Sequence, residues 1–206
     1  MLLNSIEQVM TEYDNYVNPV YTLFSQIQYE GKRVNDDLVG LLAIYRINKQ
    51  QYAANIDEYN VFDFLQENLE QHATMIEYRN IDKTLHCDAE LNWFFDQDLL
   101  KGVISNVINN LYKYTQNKLE IVVEKQDRYL AIRIKDNGPG YPQHMLIDAE
   151  QQKQQKNICF ENANTGLGLY FSDLVAKLHK NKGRSGYITT TNDGINGGGC
   201  FSIYLP

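Results

Sequence analysis

Along the N-terminal part of the chain, apolar residues recur every three or four positions. Leu2, Leu3, Ile6, Val9, Met10, Tyr13, Val17, Val20, Phe24 and Ile27 keep that step, the spacing of one face of an α-helix. Pro19 falls inside the run and is expected to kink the helix, because proline lacks an N–H and crowds the preceding turn. "YEGKRVND" then predicts a turn, and Val34, Leu38, Leu41, Leu42 and Tyr45 carry the period on to about Tyr52. The product is a helical hairpin over residues 1–55. Two helices cannot cover both of their own apolar stripes. The hairpin is therefore expected to pair with a second copy as a dimeric four-helix bundle, or else to pack on its own globular part.

From residue 56 to residue 206 the pattern changes to helices alternating with short strands. "VFDFLQENLEQHATMIEY" predicts a helix, "IDKTLHC" and "LNWFF" strands, and "QDLLKGVISNVINNLYKYT" a second helix. "KLEIVVEK" and "YLAIRIKD" predict a hairpin and "TGLGLYFSDLVAKLHK" a further helix. "GYITTTN" and "GCFSIYLP" predict two closing strands joined by a glycine turn. Strands arriving in hairpins imply an α/β sandwich with a mixed, largely antiparallel sheet and helices on one face. The polar, Gln- and Lys-rich stretch between Pro142 and Asn164 is expected to be mostly a mobile loop.

Composition narrows the function. With 206 residues, 43% of them apolar, the chain can bury one full core and a smaller accessory element. Its net charge of -7 disfavours nucleic acid and anionic membranes as partners, since both demand a basic surface. Any anionic ligand must be held locally. No apolar run is long enough to span a bilayer and the N-terminus is acidic, so a cytoplasmic location is expected. Cys87, Cys159 and Cys200 lack metal-ligand spacing and are expected to be buried thiols.

Three stretches carry candidate chemistry. In "DLLKGVISNVINNLYKYT", the residues Leu100, Val103, Ile104, Val107, Ile108 and Leu111 form a buried stripe, while Asn106, Asn110 and Lys113 line up along its flank. Asparagine is a poor helix former, so this row is either a solvated face or a set of oxygen donors aimed at a ligand. An amide oxygen suits Mg²⁺, which usually rides on substrate phosphates. In "RIKDNGPGYP", Asp136 ends an alternating strand and is followed by Gly138 and Gly140, which alone would suit a plain hairpin turn. In "NTGLGLYF", Thr165 can cap a helix whose first turn holds Gly166 and Gly168. Bare glycines there either serve packing or expose N–H groups at the positive end of the helix, where phosphate is held without net charge.

Taken in order, these stretches resemble the ATP-binding domain of sensor histidine kinases, the Bergerat-fold family shared with gyrase, heat-shock chaperone ATPases and mismatch-repair ATPases. "SNVINNLYKYT" resembles the family's N box, "DNGPG" its first glycine box and "TGLGLYF" its second, and "GGGCFSIYLP" is similar to its final strand. The resemblance implies ATP and Mg²⁺ as ligands. It implies that Asp136 accepts a hydrogen bond from the exocyclic amine of adenine, with Gly138 and Gly140 allowing close approach. Asn110 resembles the Mg²⁺ ligand with Asn106 beside it, Lys113 the residue that meets the phosphates, and Tyr114 the ring flanking the nucleotide. Thr165, Gly166, Leu167, Gly168 and Leu169 would face the phosphate chain, with an ATP lid before them. Leu111 stands where the family usually has alanine and is expected to narrow the pocket. Phe160 is a weak match to the family's phenylalanine box, and the resemblance leaves open whether Lys153 or Lys156 touches the γ-phosphate.

The hairpin departs from the family. "DNYVNPV" is similar in spacing to the phosphoacceptor motif, with Pro19 in register, but Asp14 stands at the histidine position and residues 1–71 contain no histidine. His72, His86, His144 and His179 all fall in the ATP-binding part and are expected on its surface. The resemblance therefore leaves three roles open. One is phosphotransfer to a partner histidine kinase or another side chain. The second is a non-catalytic scaffold that docks a response-regulator receiver domain. In the third, that receiver is dephosphorylated, with Asn18 placed four residues after Asp14 to orient water.

Overall fold

The computed structural model describes residues 19–149 and 166–206. It opens on one helix, α1 (Pro19–Asn48), so the turn expected over "YEGKRVND" does not form. Gly31 is the one weak helix former in that stretch besides Val, Asn and Asp, and a single glycine costs only about 1 kcal/mol. Continuous helical hydrogen bonding outweighs it. Pro19 begins this helix rather than kinking it, a position where its missing N–H costs nothing. The preceding segment, with Asp14 and Asn18, lies outside the described residues, among which residues 19–48 form one helix and no helical hairpin.

A short strand that the apolar pattern did not signal, β1 (Ile56–Asn60), follows. Next come α2 (Val61–Gln71) and α3 (Ala73–Tyr78), which divide the single predicted helix at His72. The chain continues through β2 (Asp82–His86), β3 (Asn92–Asp96) and α4 (Gln97–Tyr114). The hairpin of β4 (Lys118–Gln126) and β5 (Tyr129–Asp136) comes next. After α5 (Gly166–Leu178) lie the two-residue strands β6 (Lys180–Asn181) and β7 (Arg184–Ser185), then β8 (Tyr187–Thr191) and β9 (Cys200–Leu205).

The main sheet has the order β2-β4-β5-β9-β8 and is mixed as expected: β2 runs parallel to β4 and the other pairs are antiparallel. A separate antiparallel pair joins β1 to β3. Alternation turns Leu119, Ile121 and Val123 of β4, Leu130, Ile132 and Ile134 of β5, and Phe201, Ile203 and Leu205 of β9 into the core. There they meet Leu100, Val103, Ile104 and Val107 of α4 and Phe171 and Val175 of α5. Each such side chain contributes about 1.5–3 kcal/mol on burial, so the spacing of α4 and α5 above the sheet is firmly set. Asp136 continues the inward phase of β5 and is itself buried.

Both ends of α4 are closed. The Asp96 carboxylate accepts from the Leu99 N–H at 3.0 Å, and the Thr115 N–H donates to the Leu111 carbonyl at 2.8 Å. Asp96 also holds the chain leaving α1, accepting from the Tyr52 hydroxyl at 3.2 Å and the Asn55 N–H at 2.8 Å. Burial, then the charge and hydrogen bond of Asp96, push the Tyr52 phenol up to about 12.

Two of the histidines are in the core rather than on the surface. His72 shares a 3.3 Å hydrogen bond with Ser105. His179 donates from Nδ1 to the Val175 carbonyl at 2.7 Å and accepts the Asp96 N–H on Nε2 at 3.0 Å. That pair of partners requires the neutral ring. Cys200 is buried as expected and Cys87 only half-buried, while Cys159 lies outside the described residues. The start of the expected mobile loop is pinned: Ile147 exchanges backbone hydrogen bonds of 3.1 and 3.0 Å with Thr190 on β8. Among the described residues no helix is long and apolar enough to cross a membrane.

Candidate functional site

The apolar stripe of α4 faces the sheet, which turns its asparagine row outward and sideways toward α5. Asn106 is half-buried, and Asn110 and Lys113 are exposed, as is Tyr114. The first turn of α5 comes down beside this row: a Cβ built on Gly168 would lie 3.9 Å from Asn106 Cγ and from Asn110 Nδ2. Tertiary structure thus joins two motifs more than fifty residues apart in the chain. Between them lies a cleft of about 350 Å³, a size suited to a small-molecule ligand. Its walls include Asn106, Asn110, Lys113, Tyr114, Leu167 and Gly168.

The cleft has a further wall that the sequence did not signal. Arg33, Asp36, Asp37 and Gly40 of α1 line it as well. α1 is held there by a Lys32 hydrogen bond to the Gln71 carbonyl at 3.1 Å and by a 3.3 Å bond from the Asn48 amide to the Tyr170 hydroxyl. Its two carboxylates offset Arg33 and Lys113 in formal charge, so the cleft carries no net positive charge for an anion. Burial pushes the Asp36 carboxyl above the usual carboxylate range, as does Asp37, against the opposing pull of Lys32 and Lys101. Phosphate in such a cleft needs oriented N–H groups or a cation.

Asp136 sits past the end of the row and is not among the residues lining this cleft. Its Oδ1 accepts the Gly138 N–H at 2.6 Å, and its own N–H donates to the Gly199 carbonyl at 2.9 Å. Burial raises its pKa above the usual carboxylate range, while hydrogen bonds from the backbone of Gly138 and Gly199 hold it down. Glycines surround it for steric reasons. A Cβ on Gly138 would come within 2.4 Å of the Tyr114 carbonyl oxygen, and one on Gly199 within 2.7 Å of Asp136 Oδ2. Gly198 would press on the Asp136 carbonyl at 2.1 Å. Gly140 has φ +78, where a side chain is strained. The Asn192 side chain accepts the Tyr141 N–H at 2.6 Å and returns a bond to the Tyr141 carbonyl at 3.0 Å. The run of three glycines before β9 was the available signal for this half of the cradle, and it reads in sequence only as a turn.

The described residues thus hold a buried carboxylate ringed by glycines and, apart from it, an amide-lined cleft beside a glycine-rich helix start. Residues 95–206, more than half of the chain, match the family described as histidine kinase-, DNA gyrase B-, and HSP90-like ATPase. The chain belongs to that family. As a histidine-kinase-type ATPase domain it is 26% identical over 197 residues to the signal transduction histidine-protein kinase AfsQ2 of Streptomyces coelicolor, a match covering 94% of this chain and 34% of that protein. To histidine kinase P4 of Formosa agariphila it is 22% identical over 191 residues, 87% of this chain and 14% of that protein. It therefore spans 34% or less of the length of these relatives. The solved structure of the Acinetobacter baumannii histidine kinase AdeS matches with a TM-score of 0.64 at 20% identity, covering 99% of this chain and 92% of that one. Histidine kinase ThkA, solved in complex with response regulator protein TrrA, matches with a TM-score of 0.62 at 19% identity, covering 100% and 56%. At these identities the structures establish a shared fold.

Within this ATPase domain, the structure brings Asn106, Asn110, Lys113, Tyr114, Leu167 and Gly168 to one cleft. Asp136, Gly138 and Gly140 lie beyond its lining, and Leu169 and Leu111 point away from it. Leu169 is buried in the core, and Leu111 faces a small apolar cavity with His72, Ile76 and Leu119 rather than narrowing the cleft. The reason is helical phase: Leu111 lies one step past Asn110, about 100° around α4, and so falls on the sheet side. Thr165, Phe160, Lys153, Lys156 and the expected lid lie outside the described residues.

Proposed function

We propose that this chain is the nucleotide-binding part of a two-component signalling protein of the histidine kinase type, with Mg·ATP as its ligand. The observation that carries this reading is the approach of Gly168 to Asn106 and Asn110, with Asp136 buried beyond the end of the same helix. The donors fit that ligand. Asp136 Oδ2 is acceptor-only when ionised, which suits an adenine amine and opposes the guanine carbonyl. Asn110 offers an amide oxygen to a hard cation that retains its own waters, with Asn106 beside it. Lys113 meets phosphate charge, the Tyr114 ring flanks the base, and the N–H groups of Gly166, Leu167 and Gly168 open the positive end of α5. Bound Mg·ATP supplies a transferable γ-phosphoryl group. The residues named here contribute positioning and charge neutralisation.

The exposed Val34, Leu38, Leu41, Leu42 and Tyr45 on α1 support association with a second copy, because so long an apolar stripe facing water is costly. Residues 1–71 hold no histidine, so in this reading the acceptor lies outside that stretch, on a partner histidine kinase or the receiver domain of a response regulator. A cytoplasmic site of action and a division near residue 55 belong to the same reading. The seating of Asp36 and Asp37 on the cleft favours a second version, in which the chain is a receiver-docking scaffold or receiver phosphatase and turnover is suppressed while α1 is docked. Incubation with γ-labelled ATP, alone and with a receiver domain or a histidine-bearing kinase helix pair, separates them. Label appearing on the added partner supports phosphotransfer. ATP binding without transfer or hydrolysis supports the scaffold, and label on residues 1–55 of this chain contradicts both.

A further inference from the structure

Asn137 stands between the acid and the first glycine of the turn, is 9% exposed, and has its side chain committed to the protein. Its oxygen accepts from the Asn117 N–H at 3.1 Å, the Lys118 N–H at 3.0 Å and the Thr115 hydroxyl at 3.1 Å. Its amide donates to Asn117 Oδ1 at 2.8 Å. An amide oxygen has two lone pairs, so three donors saturate it. The single Thr115 proton is further shared with the Lys118 carbonyl at 3.1 Å. No capacity remains on that oxygen for a ligand.

What the clamp joins gives it a role. Thr115 closes the C-terminus of α4 and Lys118 begins β4, whereas Asn137 follows the last residue of β5. The β-ladder pairs Leu119 with Asp136 and so fixes β4 against β5. It does not fix α4, which reaches β4 through a short turn. The polar clamp does, with Gly138 seated against the Tyr114 carbonyl as a steric stop. The acid thus rides on a strand and the asparagine row on a helix, and Asn137 spans the joint between them.

We propose that Asn137 is a positioning residue that sets the spacing between the purine acceptor Asp136 and the phosphate-facing row Asn106, Asn110 and Lys113, so that both ends of one nucleotide-length ligand, a nucleoside triphosphate, engage together. This rests on the nucleotide reading above. Two subsites reinforce each other on one ligand only while their separation matches it; a joint that slips leaves each subsite intact but uncouples them.

The test uses the whole chain and three probes: Mg·ATP, adenosine for the acid end, and Mg·tripolyphosphate for the row. Affinities are measured by calorimetry for the first and by NMR titration for the fragments. In Asn137→Ala, affinity for Mg·ATP is expected to fall roughly tenfold or more while each fragment changes less than about twofold, because only the coupling is lost. Equal losses on all three probes, or an unchanged affinity for Mg·ATP, overturn the proposal. If the alanine variant does not fold, Thr115→Val, which keeps both backbone donors on the Asn137 oxygen, shows the same ordering at smaller amplitude or overturns it. A wild-type chain that binds no Mg·ATP overturns the nucleotide reading together with this one. Binding by wild type with uniform loss in the variant overturns this one alone.

Discussion

Replacing Asp136 by asparagine separates recognition from stability, because the two respond with opposite sign. The carboxylate is 6% exposed, and Oδ1 is already occupied by the Gly138 N–H at 2.6 Å. In Asp136→Asn the amide oxygen keeps that bond, since turning the NH₂ toward Gly138 would set donor against donor. The NH₂ then faces the purine amine, again donor against donor. A hydrogen bond to a charged acceptor contributes about 1.5–3 kcal/mol, so its loss alone weakens ATP roughly ten- to 150-fold. The opposed donors extend that to loss of measurable binding. Folding moves the other way. Burial raises the Asp136 pKa, so its ionised form is less stable in the folded chain than in the unfolded one. Removing the charge is therefore neutral to stabilising at pH 7. The advantage shrinks as pH falls through the raised pKa toward 3.8, because the wild-type carboxyl is then protonated too. Calorimetric titration with ATP, paired with thermal melts at pH 7 and pH 4, checks both signs. A well-folded variant with unchanged ATP affinity refutes the assignment of Asp136. A lowered melting temperature refutes the burial argument.

Asn110→Ala is expected to weaken ATP binding chiefly when Mg²⁺ is present, because the exposed amide is assigned to the cation; equal losses with Mg²⁺ and with EDTA would show that it contacts phosphate or base directly. Gly138→Ala puts a Cβ at 2.4 Å from the Tyr114 carbonyl oxygen, a backbone atom that cannot rotate away. It should lose about 1–3 kcal/mol of stability and nucleotide affinity besides, both measurable by urea titration with and without ATP. His72 is held neutral by burial, its pKa lowered to about 4 from 6.5. A lowered histidine pKa means that the unfolded chain takes up the proton first, so this contribution is complete above pH 6.5 and fades as pH falls toward about 4. Between pH 7.5 and 5 it costs on the order of 2 kcal/mol, from one pKa unit being 1.36 kcal/mol. His179, whose pKa is likewise lowered mainly by burial, adds in the same direction, so the denaturant-derived stability is expected to fall from pH 7.5 to pH 5 in wild type and to fall less in His72→Gln; an equal fall in both would refute the assignment to His72.

Local pattern was enough for most of the ATPase domain. The alternation in "KLEIVVEK", "YLAIRIKD" and "GCFSIYLP" located β4, β5 and β9, and the same period of two put Asp136 on the core side. The three- and four-residue spacing in α4 likewise set the asparagine row apart from the apolar stripe. Pattern failed where a segment's state is decided elsewhere. β1 has little alternation and exists because β3 pairs with it. His72 and His179 carry no sequence mark of burial, since a histidine enters a core only where partners such as Ser105, or the Val175 carbonyl and Asp96 N–H, are already placed.

The sequence by itself determined α4, β4, β5, α5 and β9 in their order, the inward phase of β4, β5, β9 and α4, and the identity of the three motifs, because those follow from short-range periodicity and from which backbone positions only glycine tolerates. Only the tertiary structure decided that Gly168 meets Asn106 and Asn110, that Gly198 and Gly199 close around Asp136, and that Arg33, Asp36 and Asp37 of a continuous α1 form the far wall of the cleft. Those are contacts between segments far apart in the chain. They arise from how α1, α4 and α5 pack over the sheet, which no local spacing encodes.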